Sequence, residues 1–156
     1  MVWSFINKYK NKIEEKPRKD TFTFCKALFH YHKKEFDKAI TTVAMVNSND
    51  ITFKHQIKSL YLKIYFDLNE TEPFYYHVDT YKHFIDKDKF FPESTGSAIK
   101  NYILFAKKLF DLKNKVSAKS DDFELKETGK KIVEHRSLIN KPWLLKKLKE
   151  IEKDKG

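Results

Sequence analysis

The side chains best able to do chemistry here are six histidines, one cysteine and a few paired carboxylates. The histidines are His30, His32, His55, His77, His83 and His135. A helical metal site needs ligands on one face, as in two histidines four residues apart. No histidine has such a partner. His30 and His32 are two apart and lie on different helix faces. "VEHRS" (133–137) holds a single histidine, and His83 with Asp86 supplies only two groups. The histidines therefore read as solvated helix residues. Cys25, beside Phe24 and Leu28, reads as a core thiol and not a nucleophile. As the sole cysteine it excludes an internal disulfide and a cysteine-rich zinc site. Asp86/Asp88 and Asp121/Asp122 stand at helix ends, where carboxylates suit turns and helix dipoles. "ESTGS" (93–97) precedes a helix and could meet an anion there. No Walker or dinucleotide spacing surrounds it, so capping is the better reading. No enzymatic activity and no cofactor are expected.

The elements that hold these residues are helices. The chain has 156 residues, 40% of them hydrophobic and 35% charged, which suits one domain with its own core. Three glycines and four prolines leave little room for the turns of an all-β fold. Phe53, Ile57, Leu60, Tyr61, Ile64, Tyr65 and Leu68 follow the 3.6-residue stripe of a helix. Ile99, Tyr102, Ile103, Ala106, Leu109 and Phe110 do the same, as do Phe36, Ala39, Ile40, Val43 and Val46. Phe74, Val78, Tyr81 and Ile85 make a fourth stripe; Leu125, Thr128, Ile132 and Ile139 make a weaker fifth. Asp20, Asp50 or Asn49, Thr71 and Asp121 stand at N-cap positions, and Pro142 suits a first turn. The reading is about eight helices: 2–15, 20–33, 35–47, 50–68, 72–88, 95–113, 121–139 and 142–153. Short connections make successive helices antiparallel.

"KIYFDLN" (63–69) and "KKLFDLKN" (107–114) both close a long stripe with Phe-Asp-Leu, where the first hairpin has "ALFHYHKK" (27–34). Superposing the turns gives offsets of about 37 and 44 residues, a signature of repeats. Ala27 and Ala39 are twelve apart, and Phe36 stands three residues before the second alanine. In this respect residues 20–47 resemble a degenerate tetratricopeptide-type repeat. Its small residues let paired helices approach, and its aromatic plugs the turn. The family's first-helix Trp-x-x-Leu-Gly pattern is absent, with Thr23, Lys26 and Ala27 in its place. The later hairpins lack the alanines, Ile64 and Tyr76 falling there. The chain also resembles the C-terminal portion of long, uncharacterised bacterial helical-repeat proteins, with "KPWLLKKLKEI" (141–151) as closing helix. The resemblance implies an all-α fold of stacked antiparallel hairpins, a short α-solenoid. Its hairpins would span 20–47, 50–88 and 95–139 of a single domain 1–156, with a capping helix at 142–153. A compact non-repetitive bundle is the alternative. A helix starting almost at residue 1, with Trp3, Phe5, Ile6 and Tyr9, fits a fragment of a longer array, a truncated frame or an N-terminal cap.

In the resembling family, first-helix side chains line a groove that takes a peptide or protein segment. Carried onto the matching hairpin, those positions are Thr21, Phe24, Leu28, Tyr31 and His32. Periodicity adds Lys54, Lys58 and Asn101 from later helices. The expected function is thus a non-catalytic protein–protein interaction module, with an acidic partner suiting a net charge of +10. The aromatic stretch "EPFYYHVDTYKHF" (72–84) reads as core or inter-repeat packing, or as a ligand-facing strip. The alternative function is a nucleic-acid backbone binder. Residues 100–156 hold 16 basic and 9 acidic residues, net +7. Lys107, Lys108, Lys130, Lys131, Lys146 and Lys147 would contact phosphates. Against this, the 30 lysines and two arginines suit an AT-rich genome, and phosphate and base readers favour arginine. No run approaches a membrane span and no signal peptide opens the chain, so a cytoplasmic location is expected.

Overall fold

A computed structural model describes residues 15–87, 89–115 and 119–155. They form seven α-helices and no strand. These are α1 (Glu15–His32), α2 (Phe36–Val43), α3 (Ile51–Leu68), α4 (Thr71–Lys87), α5 (Glu93–Asn114), α6 (Lys119–Glu134) and α7 (Lys141–Lys155). The chain divides into two compact units between His77 and Val78. Residues 71–77 of α4 belong to the first unit and 78–87 to the second. No described helix is long and apolar enough to cross a membrane.

In the first unit α1, α2 and α3 all touch one another. Ala27 and Ala39 are completely buried where α1 meets α2. A methyl group at each position lets the helix backbones draw together, as the twelve-residue spacing anticipates. Phe24, Val43, Leu60 and Ile64 complete this core, with Leu28, Tyr31 and Phe36 packed against it. Tyr31 Oη donates to Asp67 Oδ2 at 2.6 Å, tying the C-terminal end of α1 to that of α3. With Phe24 meeting Phe53 earlier on both helices, α1 and α3 run parallel, α2 coming between them in sequence.

The turns after α1 and α3 share one construction. Glu35 N donates to His30 O and Lys34 N to Tyr31 O; Glu70 N donates to Tyr65 O and Asn69 N to Phe66 O. Both are Schellman motifs, which need a left-handed residue at their corner. Lys34 (φ 62°) and Asn69 (φ 56°) fill that position. These corners lie 35 positions apart, where the sequence superposition gave about 37. At the structural offset Ala27 and Ala39 correspond to Leu62 and Phe74, both wholly buried.

The second unit repeats the arrangement. α5, α6 and α7 all touch, and Tyr102, Ile103, Leu109, Phe110, Ile132 and Leu144 are fully buried. The Tyr102 ring meets Trp143 edge-on, and Lys155 Nζ reaches Lys115 O. These contacts, 13 and 12 positions apart along each helix in the same sense, make α5 and α7 parallel. Gly129 of α6 passes close to α7, where a Cβ would stand 2.6 Å from Leu148 Cδ2.

Several expected boundaries move. The helix expected at 2–15 lies outside the described residues, apart from Glu15. α1 already includes Glu15, where the described residues begin, so Asp20 is inside the helix and does not cap it. α2 ends at Val43 and not 47. Asp121, expected as a cap, is a buried first-turn residue of α6. α6 ends at Glu134 and not 139, and Lys141 Nζ donates to the freed carbonyls of Val133 and His135. Asp50 does cap α3, accepting from Phe53 N at 2.8 Å. Pro142 stands in the first turn of α7.

Candidate functional site: the trough between α5 and α6

Asn101, Leu104, Phe105 and Lys108 follow one another at helical spacing and so share a face of α5. Glu124, Thr128, Lys131 and His135 do the same at the facing edge of α6, His135 standing just past the helix end. α5 and α6 are antiparallel, so Lys108 meets Glu124 while Asn101 reaches the loop after α6, its Nδ2 donating to Ser137 O at 3.0 Å. Between the two rows lies a half-open cavity of about 280 Å³, lined by Asn101, Leu104, Phe105, Lys108, Thr128, Lys131 and His135. It lies just below the roughly 300–1,000 Å³ typical of small-molecule pockets.

Its walls are mostly apolar. Leu104 is 51% exposed, high for a leucine flanked by the buried Ile103 and Ala106. Phe105 stands against the His135 ring, edge to face, at 5.7 Å. His135 Nδ1 accepts from Ser137 N, so the neutral ring carries its proton on Nε2 and is a donor there. Thr128 turns its hydroxyl back to Glu124 O. The loop closing this end is held from two sides, by Asn101 and by Lys141.

The rim is cationic. Glu124 is shared by Lys108 and Lys115. Their hydrogen bonds, Lys108 first, hold its carboxyl below the ordinary range and push the Lys115 ammonium up. Asp121 and Asp111 act more weakly on Lys115, so the shared carboxylate leaves Lys108 only partly neutralised. Lys131 adds a positive charge, for it is exposed and has no ion pair among the described residues.

The structure thus brings Asn101, Lys108 and Lys131 together and disperses the other expected residues. Thr21 and His32 are exposed on α1. Phe24 is buried edge-on against Phe53 at 5.1 Å, Leu28 packs on the same core, and Tyr31 is engaged by Asp67. Lys54 and Lys58 are half-buried on α3, and burial, then the Lys54 charge, pushes the Lys58 ammonium down. Lys107 pairs with Asp111 at 3.7 Å. Lys147 is buried, paired with Glu150 at 3.0 Å and 5.8 Å from the Trp143 ring centre. Lys130 and Lys146 are exposed. Leu104, Phe105, Thr128 and His135 were missed as site residues. The available signal was Leu104, a large apolar residue standing off the core stripe of its helix.

The histidines are not uniformly solvated. His77 is buried, its Nε2 donates to Lys58 O at 2.7 Å, and its ring lies against Tyr61 and Tyr65. Burial pushes it down to about 4, with the hydrogen bond opposing and the Lys58 charge reinforcing. His55 is likewise lowered by burial. Both expectations failed because the face that meets the rest of the unit is a tertiary property. Burial raises the half-buried Cys25 thiol, which disfavours thiolate. No group of three or more His, Cys, Asp or Glu side chains able to hold a metal occurs among the described residues.

No protein-family description, curated protein or solved structure matches the chain.

Proposed function

We propose that this protein is a non-catalytic interaction module of helical-repeat type that holds a peptide or protein segment in the α5–α6 trough. The trough itself carries the reading: a concave, largely apolar strip with an exposed leucine, bordered by lysine and backed by a braced loop. Apolar lining with a few oriented polar groups is how proteins recognise ligands, and a strip between two helices suits an extended or helical segment. The helix order within each unit supports the repeat assignment. A hairpin followed by a third helix parallel to the first is what successive tetratricopeptide-type helices would make. The buried Ala27/Ala39 pair supports it further.

The nucleic-acid reading is weaker. Three of its six lysines, Lys107, Lys108 and Lys147, already hold carboxylates. A cytoplasmic location remains the companion expectation.

Selection of a random peptide library on the full chain tests the proposal. Enriched peptides are expected, and their capture should weaken for Leu104→Glu. Failure to enrich any peptide, or enrichment indifferent to Leu104→Glu, refutes a peptide site in this trough.

A further inference from the structure

Resting on that reading, we infer that the occupant is an acidic–apolar peptide segment. A bulky apolar side chain lies against Leu104 and Phe105, and a neighbouring Asp or Glu carboxylate reaches Lys131 and the Nε2–H of His135. The mouth of the trough offers donors and little else: the Lys131 ammonium, the Lys108 ammonium and the His135 ring. The acceptors nearby are largely occupied. Glu124 is spent on two lysines, and the Ser137 and His135 carbonyls accept from Asn101 and Lys141. A carboxylate on the ligand meets two of these donors, whereas a cation would have to compete for Glu124 or turn to Glu127 and Glu134, one turn to either side of Lys131 on α6.

The apolar part follows from Leu104. Covering its exposed surface together with the Phe105 edge removes hydrocarbon from water, the main non-directional gain in association. A free carboxylate without an apolar neighbour would leave that surface wet. The volume, about 280 Å³, suits one or two side chains of a longer segment. Asn101, Ser137 and Lys141 fix the far wall before any ligand arrives, so little ordering is left to be done on binding.

Phosphate could also answer the cations, but a polyanion would use a track of free lysines. Here Lys131 is the single lining lysine without a carboxylate partner among the described residues, and the lining is apolar.

Fluorescence anisotropy of the full chain tests this with four labelled probes at low salt. These are an acidic–apolar peptide alternating Glu with Leu and Phe, its Gln-for-Glu counterpart, its Lys-for-Glu counterpart, and a single-stranded oligonucleotide. The acidic peptide should bind best. Lys131→Glu should weaken it roughly tenfold, because an exposed attraction is replaced by a repulsion of similar size. Leu104→Asn, at a half-exposed site where the fold should be unaffected, should weaken it severalfold. Lys146→Glu, on α7 and outside the trough, should change it least, which controls for net charge. Equal binding of the Gln and Glu peptides, or equal effects of Lys131→Glu and Lys146→Glu, overturns the acidic occupant while the peptide-module reading stands. Binding of the oligonucleotide alone overturns both.

Discussion

Lowering the pH should strip stability from the first unit chiefly through the His77 imidazole, with His55, also lowered by burial, acting in the same direction. His77 titrates near 6.5 when solvated and at about 4 in the folded chain. The unfolded state therefore binds the proton first, and stability falls as pH drops between those values. Above about 6.5 the contribution is intact; below about 4 it is wholly lost. A gap of this size corresponds to about 3 kcal/mol in total, of which about 2 kcal/mol disappears between pH 7 and pH 5. Carboxylates also titrate toward the acid end, so the comparison must be internal. His77→Phe keeps a ring of similar size and removes the proton site, at the loss of one hydrogen bond to Lys58 O. Urea unfolding of both proteins at pH 7, 6 and 5 isolates the term. Wild type should lose about 2 kcal/mol more than the variant across that range. Parallel pH profiles would refute the claim that His77 is held neutral by burial. So would an NMR titration of His77 with a midpoint near 6.5.

Three further outcomes follow from the fold. Ala39→Leu should destabilise by about 1–3 kcal/mol, because α1 and α2 have no room for a larger side chain; chemical denaturation measures it. Asp50→Ala should cost about 1 kcal/mol by removing the Phe53 N–H acceptor, whereas Asp50→Ser should largely restore it. Lys34→Gly should stabilise by about 1 kcal/mol, since a left-handed corner strains any β-carbon. A lowered melting temperature for Lys34→Gly would show that the lysine side chain supports the turn in some other way.

Local pattern disclosed much of the fold. Ile99, Tyr102, Ile103, Ala106, Leu109 and Phe110, read as one stripe, are all buried in α5. Asp50 is a cap because carboxylate chemistry at that position is local. What escaped was long-range. Tyr31 meets Asp67 across 36 residues, and His77 meets the Lys58 carbonyl across 19; no periodicity within one helix carries that information. The offset of 35 between hairpins was hidden for a related reason. The first hairpin carries no Phe-Asp-Leu string to align, and the corners are set by backbone dihedrals at Lys34 and Asn69. Asn101, Lys108 and Lys131 were individually visible as polar side chains. Their convergence depended on the antiparallel register of α5 and α6, which the long polar stretch between the helices left open.

Glu124 has a consequence for how this surface can drift. It serves two lysines, one on each of its oxygens, Lys108 on α5 and Lys115 just beyond its end. Either lysine can be exchanged without orphaning the carboxylate, because the other still answers it. Exchange of Glu124 itself leaves two cations with one less anion between them and moves the whole edge toward repulsion. The three positions are thus unequal under mutation: the two cations back each other up, whereas without the anion Lys115 keeps only the weaker pull of Asp121 and Asp111. Exposed ion pairs add little to stability, so a saturation scan read by melting temperature should find broad tolerance at residues 108 and 115 and only a mild preference for an acid at 124.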